Sequence, residues 1–181
     1  MPDAARRPAR TAASAVLSLV AALLGLAGLL DADQPMRPPS KITVCSPSRA
    51  FCATADPVGP VLSVFAGASS SPVWSMAEWH RQFFLADDGD HLVIGPEGLN
   101  LLPADTRLSD PLLVFRKRQT LVRVVTVGEL FPSLSSLPRT ASHLAWGRAT
   151  GISSHGQMIV ELAGGRRVAF SAATGRREPE K

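Results

Sequence analysis

The 181-residue chain contains no tyrosine, two cysteines and three lysines, and only 19% of it is charged. Two cysteines are too few for a disulfide-built mini-protein, and without a Cys-x-x-Cys motif they do not point to thiol redox chemistry. No glycine-rich phosphate loop ends in Lys-Ser or Lys-Thr, and no dinucleotide fingerprint is present, so no nucleotide cofactor is expected. The four histidines, His80, His91, His143 and His155, show neither i,i+4 nor His-x-His spacing, so no local zinc set exists. Asp87, Asp88 and Asp90 surround Gly89 but lack the twelve-residue ligand pattern of a calcium loop, and they read as a turn. Gly151-Ile152-Ser153-Ser154-His155-Gly156 approximates a serine elbow, but His155 stands where the second glycine belongs. The expectation is no catalytic residue, no metal and no cofactor.

What the chain does have is arginine, 16 against 3 lysines. Arg6, Arg7 and Arg10 lie at the N-terminus, followed by the uncharged run Thr11 to Leu30 and then Asp31 and Asp33. A basic flank, an apolar run and an acidic flank make residues 1–30 an export signal or an N-terminal membrane anchor, and a hydrophobic helix is expected there. Gly25-Leu26-Ala27 offers small residues for cleavage, whereas an uncut segment 12–30 holds the chain to the membrane. The rest then lies in the periplasm or on the extracytoplasmic face. The remaining clusters, Arg116-Lys117-Arg118, Arg166-Arg167 and Arg176-Arg177, fall at expected turns, strand edges and a terminus. Solvated charge accounts for them there, and nucleic acid is not an expected partner.

Pro35, Pro38 and Pro39 mark 31–40 as an extended linker. Residues 41–174 then repeat one device, a short β-favouring run, a turn and a second run. The pairs are 42–45 with 50–54, 83–85 with 91–95, 112–115 with 120–127, and 158–162 with 166–170, and Val61 to Phe65 adds a strand. The fold expected is all-β, with antiparallel sheets of successive hairpins arranged as a sandwich or a partial propeller, preceded by the N-terminal hydrophobic helix. Short helices are expected at 75–82 and 128–137, and a flexible tail at 175–181.

Two hairpins are spaced like copies. Ser46-Pro47-Ser48-Arg49-Ala50-Phe51-Cys52-Ala53 precedes Ala86-Asp87-Asp88-Gly89-Asp90-His91-Leu92-Val93 by 40 residues. The second resembles the strand, Asp-Gly turn and strand of WD40-like and TolB-like β-propeller blades. That resemblance covers about 25 residues and implies blade-like sheets.

Cys45 and Cys52 flank the first turn. They form a disulfide if the register sets them face to face, and otherwise remain two buried thiols. The stretch Trp74 to Pro103 concentrates aromatics and a Gly-Pro-Glu-Gly turn, and within it Trp79, His80, Arg81 and Asn100 are the candidate recognition residues. Core packing is the competing reading for the rings. The function expected is a non-catalytic exported domain that binds another envelope protein or itself. The alternatives are an envelope enzyme with residues unnamed, and a small-ligand or glycan binder using the Trp-rich region.

Overall fold

The computed structural model describes residues 36–179. The expected hydrophobic helix and export segment lie outside the described residues. Among the described residues no helix is long and apolar enough to cross a membrane.

The described chain is all-β. It opens with a four-stranded antiparallel meander, β1 (Ile42–Cys45), β2 (Phe51–Asp56), β3 (Val61–Ala66) and β4 (Trp74–Met76). The second sheet begins with β5 (Phe83–Leu85) and β6 (His91–Ile94), but β7 (Leu101–Pro103) leaves it before β8 (Pro111–Lys117) and β9 (Thr120–Thr126) complete it. A one-turn helix α1 (Val127–Leu130) follows, and β10 (His143–Ala145) returns to pair with β7. The third sheet is again a meander, β11 (Gly147–Ile152), β12 (Gln157–Leu162), β13 (Arg167–Ser171) and β14 (Arg177–Glu178).

Side-chain alternation places two cores. In the first sheet Ala53, Ala55, Leu62 and Val64 are buried, while Thr43, Thr54, Ser63 and Ser75 form a row across all four strands. Hydroxyl pairs close that row, Thr43 to Thr54 at 3.1 Å and Ser63 to Ser75 at 2.8 Å. This is the period-2 signature of a sheet with one face in the core and one in water. The second sheet differs, because Leu92 and Ile94 join the first core and Val93 joins the second. A strand buried on both faces reads as an unbroken apolar run, as His91-Leu92-Val93-Ile94 does after its first residue. The second core adds Phe115 and Val125 of the second sheet to Val160, Val168 and Phe170 of the third.

The opening hairpins of the three sheets share one turn. Ser46 N donates to Phe51 O and Arg49 N to Ser46 O, at 2.8 and 2.9 Å. Ala86 N donates to His91 O and Gly89 N to Ala86 O, at 2.9 and 3.1 Å, which is the same pattern moved by 40 residues. In the third sheet Ser153 N donates to Gln157 O at 2.8 Å and Gly156 N to Ser153 O at 2.9 Å, one residue shorter. Each turn is closed by a residue in the left-handed region, Arg49 at φ 61°, Gly89 at 69° and Gly156 at 73°. At position 89 glycine is required twice over, since a Cβ there would stand 2.5 Å from Cδ1 of the Phe51 ring. Among the described residues the turn's bonding pattern, though not the 40-residue spacing, therefore recurs in a third hairpin, displaced in sequence by the β7–β10 excursion. The first strands of the sheets come together, with β5 against both β1 and β11. Val44, Leu85 and Ile152 from these three strands line a small cavity of about 160 Å³.

Two short-helix expectations change. Over 75–82, Ser75 and Met76 belong to β4 and the rest is loop, because Trp74 and Met76 are buried on alternate positions as strand residues. Over 128–137, α1 stops at Leu130, with Phe131 extended before Pro132, and only a 3₁₀ turn at Leu134–Ser136 follows. At the C-terminal end, Arg177–Glu178 pairs with β13 inside the stretch expected to be a tail. Buried Gln157 holds it there, donating through Nε2 to Glu178 Oε2 at 3.1 Å and to Pro179 O at 2.9 Å.

Candidate functional site

The loop from β4 to β5 carries Glu78, Trp79, His80 and Arg81 across one end of the first core. Trp79 packs its ring against that core and donates Nε1–H to Ser40 O at 3.1 Å, so the indole is half-buried rather than free. That bond ties the loop to the segment just before β1. Arg81 lays its guanidinium over the Trp79 ring, with Cζ 5.3 Å from the centroid. At such a distance a cation–π contact contributes roughly 0.5–1 kcal/mol when exposed and more when desolvated.

His80 stands between two carboxylates. Its Nε2 lies 2.9 Å from Glu78 Oε2 and its Nδ1 lies 3.8 Å from Glu97 Oε1. The other Glu78 oxygen receives Arg116 Nη1 at 3.1 Å, and Glu97 Oε2 stands 4.0 Å from Arg81 Nε. Arg81 also donates its backbone N–H to Glu97 Oε1 at 3.4 Å. Two acids, two arginines and a histidine from a loop, a strand and a turn thus form one network. Arg81 Nε and Arg116 Nε are buried without a hydrogen-bond partner among the described residues. The network has donors in hand.

The turn carrying Glu97 is fixed from behind by Trp146, which is fully buried at the start of the third sheet. Its indole Nε1–H donates to Leu99 O at 2.7 Å and its backbone N–H to Asn100 O at 3.2 Å. Of the four residues predicted for recognition, the structure joins Trp79, His80 and Arg81. Asn100 sits exposed at the far end of the same turn, and its backbone carbonyl accepts from Trp146. Glu78, Glu97 and Arg116 were not among those predicted. Arg116, expected to be a solvated turn charge, lies on β8 opposite Leu92 and reaches Glu78. No local spacing links positions 78 and 116, and the pairing arises only when β8 docks beside β6.

Cys45 and Cys52 are directly opposed in the β1–β2 register and form a disulfide. The six residues between them satisfy the facing register that a bond requires. Elsewhere, Ser48 donates both its backbone N–H and its hydroxyl to Asp87 Oδ1, joining the turns of the first two hairpins. Those two bonds, the hydroxyl first, hold the Asp87 carboxyl below its ordinary value of 3.8. Burial pushes Asp88 upward, but hydrogen bonds from the His91 backbone and ring and from Asp90 outweigh it, and the group also ends below 3.8. Among the described residues no group of three His, Cys, Asp or Glu side chains converges as metal ligands would. The chain matches no family model, no curated protein and no solved structure.

Proposed function

We propose that this chain is an exported, non-catalytic β-domain protein that binds another envelope protein or itself, and that the binding surface centres on Trp79 and Arg81. The observation that carries this reading is the Arg81 guanidinium stacked on the half-buried Trp79 ring and braced by Glu97. Tryptophan and arginine dominate protein interfaces because each buries a large flat area while keeping a polar edge. Bracing removes rotamer freedom beforehand, so less entropy is lost on association. His80 held between Glu78 and Glu97 serves this platform as a strut. The basic flank and apolar run of residues 1–30 support export, and the Cys45–Cys52 disulfide accords with an oxidising compartment. The three like hairpins support the blade-like reading that the resemblance implies.

Affinity recovery of the full-length protein from its native membranes in mild detergent tests the proposal, with light scattering to count copies. Wild type is expected to bring down a stoichiometric partner or a defined self-oligomer. Arg81→Ala that stays folded, with a melting temperature lowered only slightly by the lost stacking, is expected to lose it. A monomer without partner, or an Arg81→Ala protein that keeps the whole assembly, defeats this reading. Trp79→Ala adds a separate measurement, since a large drop in melting temperature assigns the ring to packing.

A further inference from the structure

We propose that the outer edge of β9 pairs with β9 of a second copy of this chain, antiparallel about a two-fold axis between Val122 and Arg123. β9 ends its sheet and is seven residues long, whereas β4 and β14, the last strands of the other two four-stranded sheets, have three and two. Its run Thr-Leu-Val-Arg-Val-Val-Thr contains neither the proline nor the lysine that commonly guards a solvent edge. Leu121 and Val122 stand 57% and 40% exposed on it.

The ladders show which backbone groups of this edge are open. Arg118 N donates to Asp90 O at 2.7 Å, so Arg118, Arg116 and Val114 turn their backbone bonds toward β6, while Phe115 and Leu113 turn theirs toward β9. Arg123 and Val125, opposite those two, bond inward, and Leu121, Val124 and Thr126 direct their N–H groups away from β8. Thr126 is closed off, because Glu129 Oε1 accepts its N–H at 3.1 Å. Leu121 and Val124 remain, and among the described residues no further strand meets them.

Their spacing selects the occupant. A register shift leaves Val122 as an extra residue opposite β8, so the two open residues stand three positions apart. A regular strand offers outward groups at every second residue and cannot match both. A second β9 turned about the two-fold axis does match, because Leu121 of each copy then faces Val124 of the other and each N–H meets a C=O. The side chains agree with this register. Leu121 and Val124 lie opposite Arg116 and Val114 and so share one face, and pairing covers exposed Leu121 with the second copy's valine. On the other face Arg123 is already neutralised by its own Glu129, which lets two arginines approach the axis.

This pairing does not rest on the Trp79–Arg81 platform, since no residue of that charged network lies on β9. Light scattering of the full-length protein in a nonionic detergent, read across a concentration series, tests it together with cysteine crosslinking. Wild type is expected to form a dimer. Leu121→Ser is expected to weaken that dimer about tenfold, and Val124→Pro, which removes an outward N–H at an edge position, by a similar factor. Val122→Cys, beside the axis, is expected to join two copies through a disulfide on mild oxidation, whereas Val58→Cys, more exposed but off this edge, is not. Arg81→Ala is expected to keep this dimer. A dimer that survives Arg81→Ala with no further partner recovered upholds the pairing and defeats the platform reading, so the two fail separately. A wild-type monomer, a dimer unchanged in folded Leu121→Ser, a dimer lost in Arg81→Ala alone, or no crosslink at Val122→Cys each overturns the proposal. If Val124→Pro fails to fold, Leu121→Ser and the crosslink decide.

Discussion

The three opening hairpins and the β7–β10 excursion are held by different means. In the hairpins around residues 46–51, 86–91 and 153–157, the turn closes on its own backbone, with one left-handed residue and two amide donors. The excursion has only a three-residue ladder, His143 with Pro103, Leu144 with Leu102 and Ala145 with Leu101. Its shape depends on Trp146, whose two N–H groups fasten the 99–100 backbone, and on Leu102 and Leu144 buried in the second core. A locally closed turn repeats because its instructions travel with it. A segment fastened from outside is free to vary, and in this chain the charged network borders it through Glu97.

The comparison can be broken at the excursion first. Trp146→Ala removes a fully buried ring and both of its side-chain benefits, packing and the Nε1–H bond, and should cost about 3–5 kcal/mol in denaturant unfolding. Removing the disulfide with Cys45→Ala and Cys52→Ala acts on the first hairpin only. The closed loop of eight residues predicts a loss of about 2.5 kcal/mol by chain entropy, read as a lower unfolding midpoint under oxidising conditions and no change under reducing ones.

Smaller changes sharpen the likeness among the hairpins. Gly156→Ala meets no atom within 4 Å and should cost about 1 kcal/mol from its positive φ alone. Gly89→Ala carries that cost and the Phe51 clash as well, and should be worse by about 1 kcal/mol or more. Arg49→Gly, at the matching position, should stabilise by a few tenths of a kcal/mol, and a lowered melting temperature would sink the equivalence of the three turns. The smallest effect is acid dependence. Asp87 and Asp88 both ionise below 3.8 when folded, so they add stability above that pH, and it is lost as the pH falls through their folded values. Asp87→Asn should therefore lower stability on the neutral side and flatten the fall below about pH 3.8, where the wild type loses the same contribution. An unaltered acid limb would remove Asp87 from that account.

The all-β class and the hairpin pairs were legible because they rest on alternation and on turn residues, both readable within ten positions. Ile42 to Cys45, Val61 to Phe65 and Phe83 to Leu85 became strands for that reason. The third hairpin copy was harder to see. Its Ser153-Ser154-His155-Gly156 turn follows the second by 67 residues instead of 40, because the excursion intervenes. Trp79, His80 and Arg81 could be named from their residue types, but their partners could not. Glu78 meets Arg116, and Glu97 meets His80, across sequence separations that no period encodes.

By itself the sequence determined the strand class, the turn chemistry, the spacing that lets Cys45 face Cys52, and the lack of any local catalytic or metal pattern. Those features depend on neighbours along the chain, where φ preference and period-2 burial act directly. Only the tertiary structure decided that β7 leaves its sheet for β10, that Trp146 fastens the 96–100 turn, and that Arg116 reaches Glu78. Each is a contact between distant segments. These contacts gather around β6, whose Leu92 and Ile94 enter one core and Val93 the other, so the strand that pairs with it, β8, is held in place.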